Sequence, residues 1–88
     1  MVQHDSTAVR RWLTTQVARY LDTTADRIAP HTPLAEYGLD SVISLTLCGD
    51  IEDHFGVPVE PTLAWDYPTI DAIQRYVLDA LRSGATAL

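Results

Sequence analysis

Over residues 9–21 the apolar positions Val9, Leu13, Val17, Tyr20 and Leu21 recur at spacings of three and four, the period of one helix face. Trp12 stands beside that stripe, and Arg10, Arg11, Thr14 and Thr15 take the opposite side. Ser6 or Asp5 can cap the start, so the pattern predicts a first helix ending near Asp22. In the stretch that follows, Pro30, Pro33 and Gly38 break any helix. So long a loop in a small domain is functional or anchored by its own side chains. Ile28 and Leu34 are isolated apolar residues there, and both are expected to point into the core.

A second helix is expected to start at Asp40 or Ser41, both good capping residues. Val42, Leu45, Cys48, Ile51, Glu52 and Phe55 follow helical spacing, and Ile43 and Leu47 widen the apolar surface. Such a helix sits centrally or offers part of its surface to a partner. Gly56 fits the left-handed position that ends a helix. Val57 and Val59 alternate with prolines, as in a short extended connector. Residues 62–66 suffice for one helical turn, which Pro68 ends. Thr69 can cap a last helix with Asp71 in its first turn. Its stripe is Ile73, Tyr76, Val77, Ala80 and Leu81, Gly84 ends it, and residues 85–88 are expected to fray. The predicted fold is all-α: a four-helix bundle of three long helices and one short one, with a long loop after the first. One domain spans residues 1–88, with its core at about 6–83.

Charge changes this picture more than composition does. Apolar residues make up 47% of the 88, which excludes a disordered chain. The net charge is −6, with no lysine. The arginines are Arg10, Arg11, Arg19, Arg27, Arg75 and Arg82, so no lysine or arginine lies between 27 and 75. That interval holds Glu36, Asp40, Asp50, Glu52, Asp53, Glu60, Asp66 and Asp71. Such a field repels phosphate backbones and argues against nucleic acid. It serves solubility, or it attracts a basic partner. A signal peptide and an apolar run of roughly 20 residues are both missing. A soluble cytoplasmic protein off the membrane is expected, as a monomer. Met1 lies close before the first helix, which points to a discrete protein, with an excised domain as the alternative.

Catalytic chemistry is sparse. His4, His31 and His54 are not spaced three or four residues from one another or from Cys48, so no zinc signature and no metal site is predicted. Cys48 lies in an apolar run and reads as a small hydrophobe. Ser41, His54 and an aspartate could be imagined as a triad, but 13 residues of helix separate Ser41 from His54 by about 20 Å. A nucleophile and its base must be within hydrogen-bond reach, so catalysis by this chain alone is not expected.

The segment "PHTPLAEYGLDSVISLTL" resembles the modification-site region of acyl carrier proteins. In that family a Gly-Leu-Asp-Ser run precedes a helix and the serine carries a 4′-phosphopantetheine arm. "FGVPVEPTLAWDYPTIDAI" is similar to the downstream half of polyketide-synthase carrier domains, through Phe55, Gly56, Trp65, Asp66, Tyr67, Pro68 and Thr69. The resemblance covers roughly residues 9–82. It implies attachment at Ser41 within a motif of Gly38, Leu39, Asp40 and Val42. It implies a carrier of acyl or polyketide intermediates held as thioesters, not an enzyme. Implied partners are a phosphopantetheinyl transferase, a ketosynthase, and an acyltransferase or acyl-activating enzyme. Asp40, Val42, Asp50, Glu52 and Asp53 are the candidate recognition residues. Val42 stands where the family commonly has leucine or methionine, and Thr46 where it commonly has an acid. Leu39 favours an acyl over a peptidyl carrier, since peptidyl carriers usually have glycine there. The competing readings are a peptidyl or aminoacyl carrier of a nonribosomal pathway, and an unmodified acidic helical domain that binds a basic partner.

Overall fold

The computed structural model describes residues 5–83. In chain order it has α1 (Ser6–Tyr20), 3₁₀ turns at Ala25–Arg27 and Leu34–Tyr37, α2 (Ser41–Phe55), the one-turn α3 (Leu63–Asp66) and α4 (Ile70–Arg82). No strand occurs among the described residues. The expected ending at Gly84 and the tail beyond it lie outside them.

Each long helix begins at a side-chain cap. Asp5 accepts from the Ala8 N–H, Asp40 from Ile43 and Thr69 from Ala72, at 2.8, 2.8 and 3.1 Å. Such caps contribute about 1 kcal/mol each. α1 ends slightly before the expected residue, and Asp22 turns the chain at φ 54°, a region aspartate tolerates better than most residues. Gly56 ends α2 at φ 70°, its N–H donating to the Glu52 carbonyl.

Val9, Leu13 and Val17 of α1 are fully buried, and α1 packs most extensively against α4. Polar groups close that contact. Arg10 donates to Gln74 at 2.9 Å and pairs with Asp71 at 3.0 Å, while Gln74 donates to the Ser6 carbonyl at 2.9 Å. Gln74 is therefore buried but satisfied. On α4 Ile70, Ile73 and Val77 are fully sheltered and Leu78 is buried, with Tyr76, Ala80 and Leu81 only partly covered.

The long loop is anchored as expected. Ile28 and Leu34 are buried, and Leu39 joins them. Leu34 N–H donates to the Pro68 carbonyl at 2.8 Å and Asp71 N–H to the Pro30 carbonyl at 2.9 Å, tying the loop to the entry of α4. The Tyr37 hydroxyl accepts from the Ala29 N–H at 2.9 Å. This explains how an irregular segment stays ordered: its backbone groups find partners in the bundle.

The apolar surface of α2 divides between the core and the outside, the second of the two arrangements its pattern allows. Cys48, Ile51 and Phe55 are buried, but Val42 and Leu45 face outward at 72% and 56% exposure. The buried face runs through Ser44, Leu47, Cys48, Ile51 and Phe55. Hydropathy alone left open which of these residues meet the core. In the fold Ser44, the neighbour of Leu45, takes the inward position, about 100° round the helix.

Candidate functional site

Residues 38–42 build one end of α2, each with a separate task. Gly38 turns the chain at φ 97°, a left-handed conformation costly for residues with a Cβ. Nothing lies within 4 Å of where a Cβ would sit, so backbone geometry and not space demands glycine. Leu39 is buried and pins the turn. Asp40 caps the helix through Oδ1. Ser41, the first residue of α2, is exposed.

Asp40 Oδ1 takes the Ile43 N–H and the Asp40 carbonyl takes the Ser44 N–H. The N–H groups of Ser41 and Val42 are left at the open helix end, which carries the positive pole of the dipole. An exposed hydroxyl beside unpaired N–H donors suits a phosphodiester. The residues present thus fit a phosphate-linked group on Ser41 Oγ.

The chain leaving α2 runs back along it. Glu52 Oε2 accepts from the Val59 N–H at 3.0 Å, Cys48 Sγ lies 3.5 Å from the Glu60 carbonyl, and Pro68 meets Leu34. α3 therefore lies alongside α2 on the way to the Ser41 end. Among the described residues, the exposed large apolar ones are Val42, Leu45, Trp65 and Tyr67. The first three come from adjacent α2 and α3. Thr46, which donates to the Val42 carbonyl at 2.9 Å, and Gly49 continue the outward face without charge.

The candidate acidic residues divide. Asp50 accepts from the Tyr20 hydroxyl and, at 3.3 Å, from Gln16. This joins α1 to α2. Burial first, then the hydrogen bond and charge of Asp50, push the Tyr20 hydroxyl far above its ordinary range. Glu52 holds the connector at Val59. Asp53 and Asp40 are exposed, about 20 Å apart along α2. The fold brings Asp40, Ser41 and Val42 together and leaves Asp50, Glu52 and Asp53 at the far end. Nothing local in the sequence marks these internal partners, since those of Asp50 come from α1, 30 and 34 residues away, and that of Glu52 from the chain folding back after the Gly56 turn.

Among the described residues, no histidine stands within reach of Ser41. His54, at the other end of α2, stacks on Trp12 with ring centroids 4.6 Å apart. Burial pushes the Cys48 thiol up, away from the thiolate. Among the described residues no group of three His, Cys, Asp or Glu could hold a metal ion. No helix there is long and apolar enough to cross a membrane.

Residues 11–77 match the family described as a phosphopantetheine attachment site. The 5-methyl-1-naphthoate synthase of Streptomyces sahachiroi is 40% identical over 72 residues, 82% of this chain but 4% of that protein. This chain likewise spans only 6% of an Aspergillus flavus polyketide synthase that is 36% identical over 63 residues. Among solved structures, the acyl carrier protein LipD from Actinoplanes friuliensis is 44% identical, with TM-score 0.74, covering 90% of this chain and 88% of that one. A free-standing peptidyl carrier protein from Acinetobacter baumannii is 37% identical with TM-score 0.86, covering 90% and 99%.

Proposed function

The chain belongs to the phosphopantetheine-attachment family of carrier domains, and we propose that it carries acyl or polyketide intermediates on an arm attached to Ser41. The carrying observation is the exposed Ser41 hydroxyl on the first turn of α2, held there by buried Leu39 and the Asp40 cap. The arm supplies a flexible thiol that forms thioesters. The chain's own residues present, orient and steer, and catalysis falls to the enzymes visited. Asp40 caps α2 through one oxygen, which leaves the other to meet a cation during attachment.

Docking on this reading has two components. The arginine-free acidic middle draws a basic enzyme surface and raises the encounter rate. Val42 and Leu45 then supply apolar contact on the first turns of α2 beside Ser41, and exposed Trp65 of the neighbouring α3 extends it. An enzyme that reaches the Ser41 hydroxyl must cover Val42, its neighbour, and a standard interface of about 800 Å² per partner extends well beyond one helical turn. A transferase, a ketosynthase and an acyltransferase or acyl-activating enzyme are the proposed visitors.

Intact-protein mass after incubation with a promiscuous phosphopantetheinyl transferase and coenzyme A tests attachment. One arm is expected on the wild type and none on Ser41→Ala. Addition that survives the substitution would sink the assignment. The likeness to the peptidyl carrier supports a second reading, a peptidyl or aminoacyl carrier. Loading by an adenylating enzyme in place of an acyltransferase would favour it, and Leu39 argues for the acyl reading.

A further inference from the structure

Among the described residues, the buried side-chain polar atom without a hydrogen-bond partner is the Ser44 hydroxyl. Ser44 is 1% exposed and lies on the core face of α2 with Leu47, Cys48 and Ile51. It follows Ser41 by three residues, which places their Cβ atoms about 5–6 Å apart. The orphan hydroxyl therefore stands beside the root of the proposed arm.

An unmade hydrogen bond in an apolar core costs stability. Helical hydroxyls usually avoid this by donating to the carbonyl four residues back. Thr14 and Thr46 do so here, at 2.8 and 2.9 Å. Ser44 does not, although its own N–H donates to that carbonyl, on Asp40, at 2.9 Å. Alanine would occupy nearly the same space without the cost. A buried polar group that nothing in the protein satisfies asks for a partner from outside.

We propose that the Ser44 hydroxyl is a hydrogen-bond site for the loaded arm, used when an oxygen-bearing acyl chain turns back against the bundle. This rests on Ser41 being the attachment point. A chain tethered at Ser41 has an apolar interior one turn away, and leaving water favours its entry. A saturated chain offers only its thioester carbonyl, which every loaded chain shares, and its buried methylenes leave the hydroxyl orphaned. An oxygen on the chain, or an amide of the arm itself, satisfies it. Ser44 thereby favours oxygenated over saturated cargo.

Thermal unfolding of wild type and Ser44→Ala tests this in four states: without the arm, with the arm, with butanoyl and with 3-oxobutanoyl. Mass is checked first. A failure to gain the arm would sink the attachment reading, and this proposal with it, before any melting. Without the arm, Ser44→Ala is expected to melt at or above the wild type. Loading 3-oxobutanoyl should raise the wild-type Tm by about 4–8 °C more than that of the variant, the size of one recovered hydrogen bond in a domain this small. Butanoyl, which shares the thioester carbonyl but lacks the 3-oxo group, should show no such gap, and an equal gap with it would assign the bond to the thioester and overturn the cargo preference. A gap already present with the unloaded arm would assign the bond to an arm amide and overturn the cargo preference. Equal shifts in both proteins in every state would overturn the site altogether. The Ser44 amide resonance of the wild type is an independent check, and no movement on 3-oxobutanoyl loading would also overturn it.

Discussion

Leu34 and Pro68, distant in sequence, meet through a 2.8 Å hydrogen bond from the Leu34 N–H to the Pro68 carbonyl. The contact fastens the loop before Ser41 to the turn that starts α4, and the Leu34 side chain is 1% exposed beneath it. Leu34→Ala should cost about 2–5 kcal/mol, a large share of the 5–15 kcal/mol typical of a small domain. Urea unfolding is the measurement. A loss below about 1 kcal/mol would show that the loop is not anchored here.

Asp40 is expected to have two separable roles. Asp40→Ala removes the cap and should lower stability by about 1 kcal/mol, which for this size is about 4–8 °C in Tm. Asp40→Asn keeps an oxygen for the Ile43 N–H and should restore most of that. If the carboxylate also meets a cation during attachment, Asp40→Asn will still slow modification by the transferase. Recovery of stability and of rate together would leave capping as its whole role.

Alkaline pH should unfold the protein partly through Tyr20. Its hydroxyl is raised above the ordinary value of 10.0 by burial and by Asp50. The unfolded tyrosine loses its proton first, so the native state holds a proton that the unfolded state has released. The contribution is fully present below pH 10 and is lost as pH rises above it. Tyr20→Phe should flatten the fall in stability above pH 10, and Tyr76, also raised by burial, should supply part of what remains. An unchanged slope in Tyr20→Phe would refute the assignment.

The two parts of the docking surface should separate by salt. Asp53→Asn is expected to slow transferase encounter at low ionic strength, with the effect fading as salt rises. Leu45→Ala and Trp65→Ala should each raise KM about 3–10-fold at any salt, because truncating an exposed apolar contact costs about 1 kcal/mol. Asp50→Asn should chiefly lower stability, because its partner is Tyr20. A larger kinetic effect from Asp50 than from Asp53 would reverse this division.

Much of the site was legible from local chemistry. Gly38, Asp40 and Gly56 act through φ angles and caps that involve only near neighbours, so residue type and position predicted them. The anchors Ile28 and Leu34 stood out as apolar residues with no local reason to be there. The outward placement of Leu45 was not legible, because a helix apolar on several sides does not declare which side meets the core.

The amino-acid order by itself determined the helices, their caps and the exposed Ser41 at a helix start, since these depend on interactions within a few residues, and it marked Ile28 and Leu34 as anchors without showing what they meet. Tertiary structure alone decided which apolar residues of α2 stay outside, that Asp50 and Glu52 serve Tyr20 and the Val59 N–H, and that Ser44 is sealed in without a partner. Those outcomes depend on what α1 and the returning 56–68 segment bring alongside α2, and a local pattern does not encode the path of the chain that brings them there.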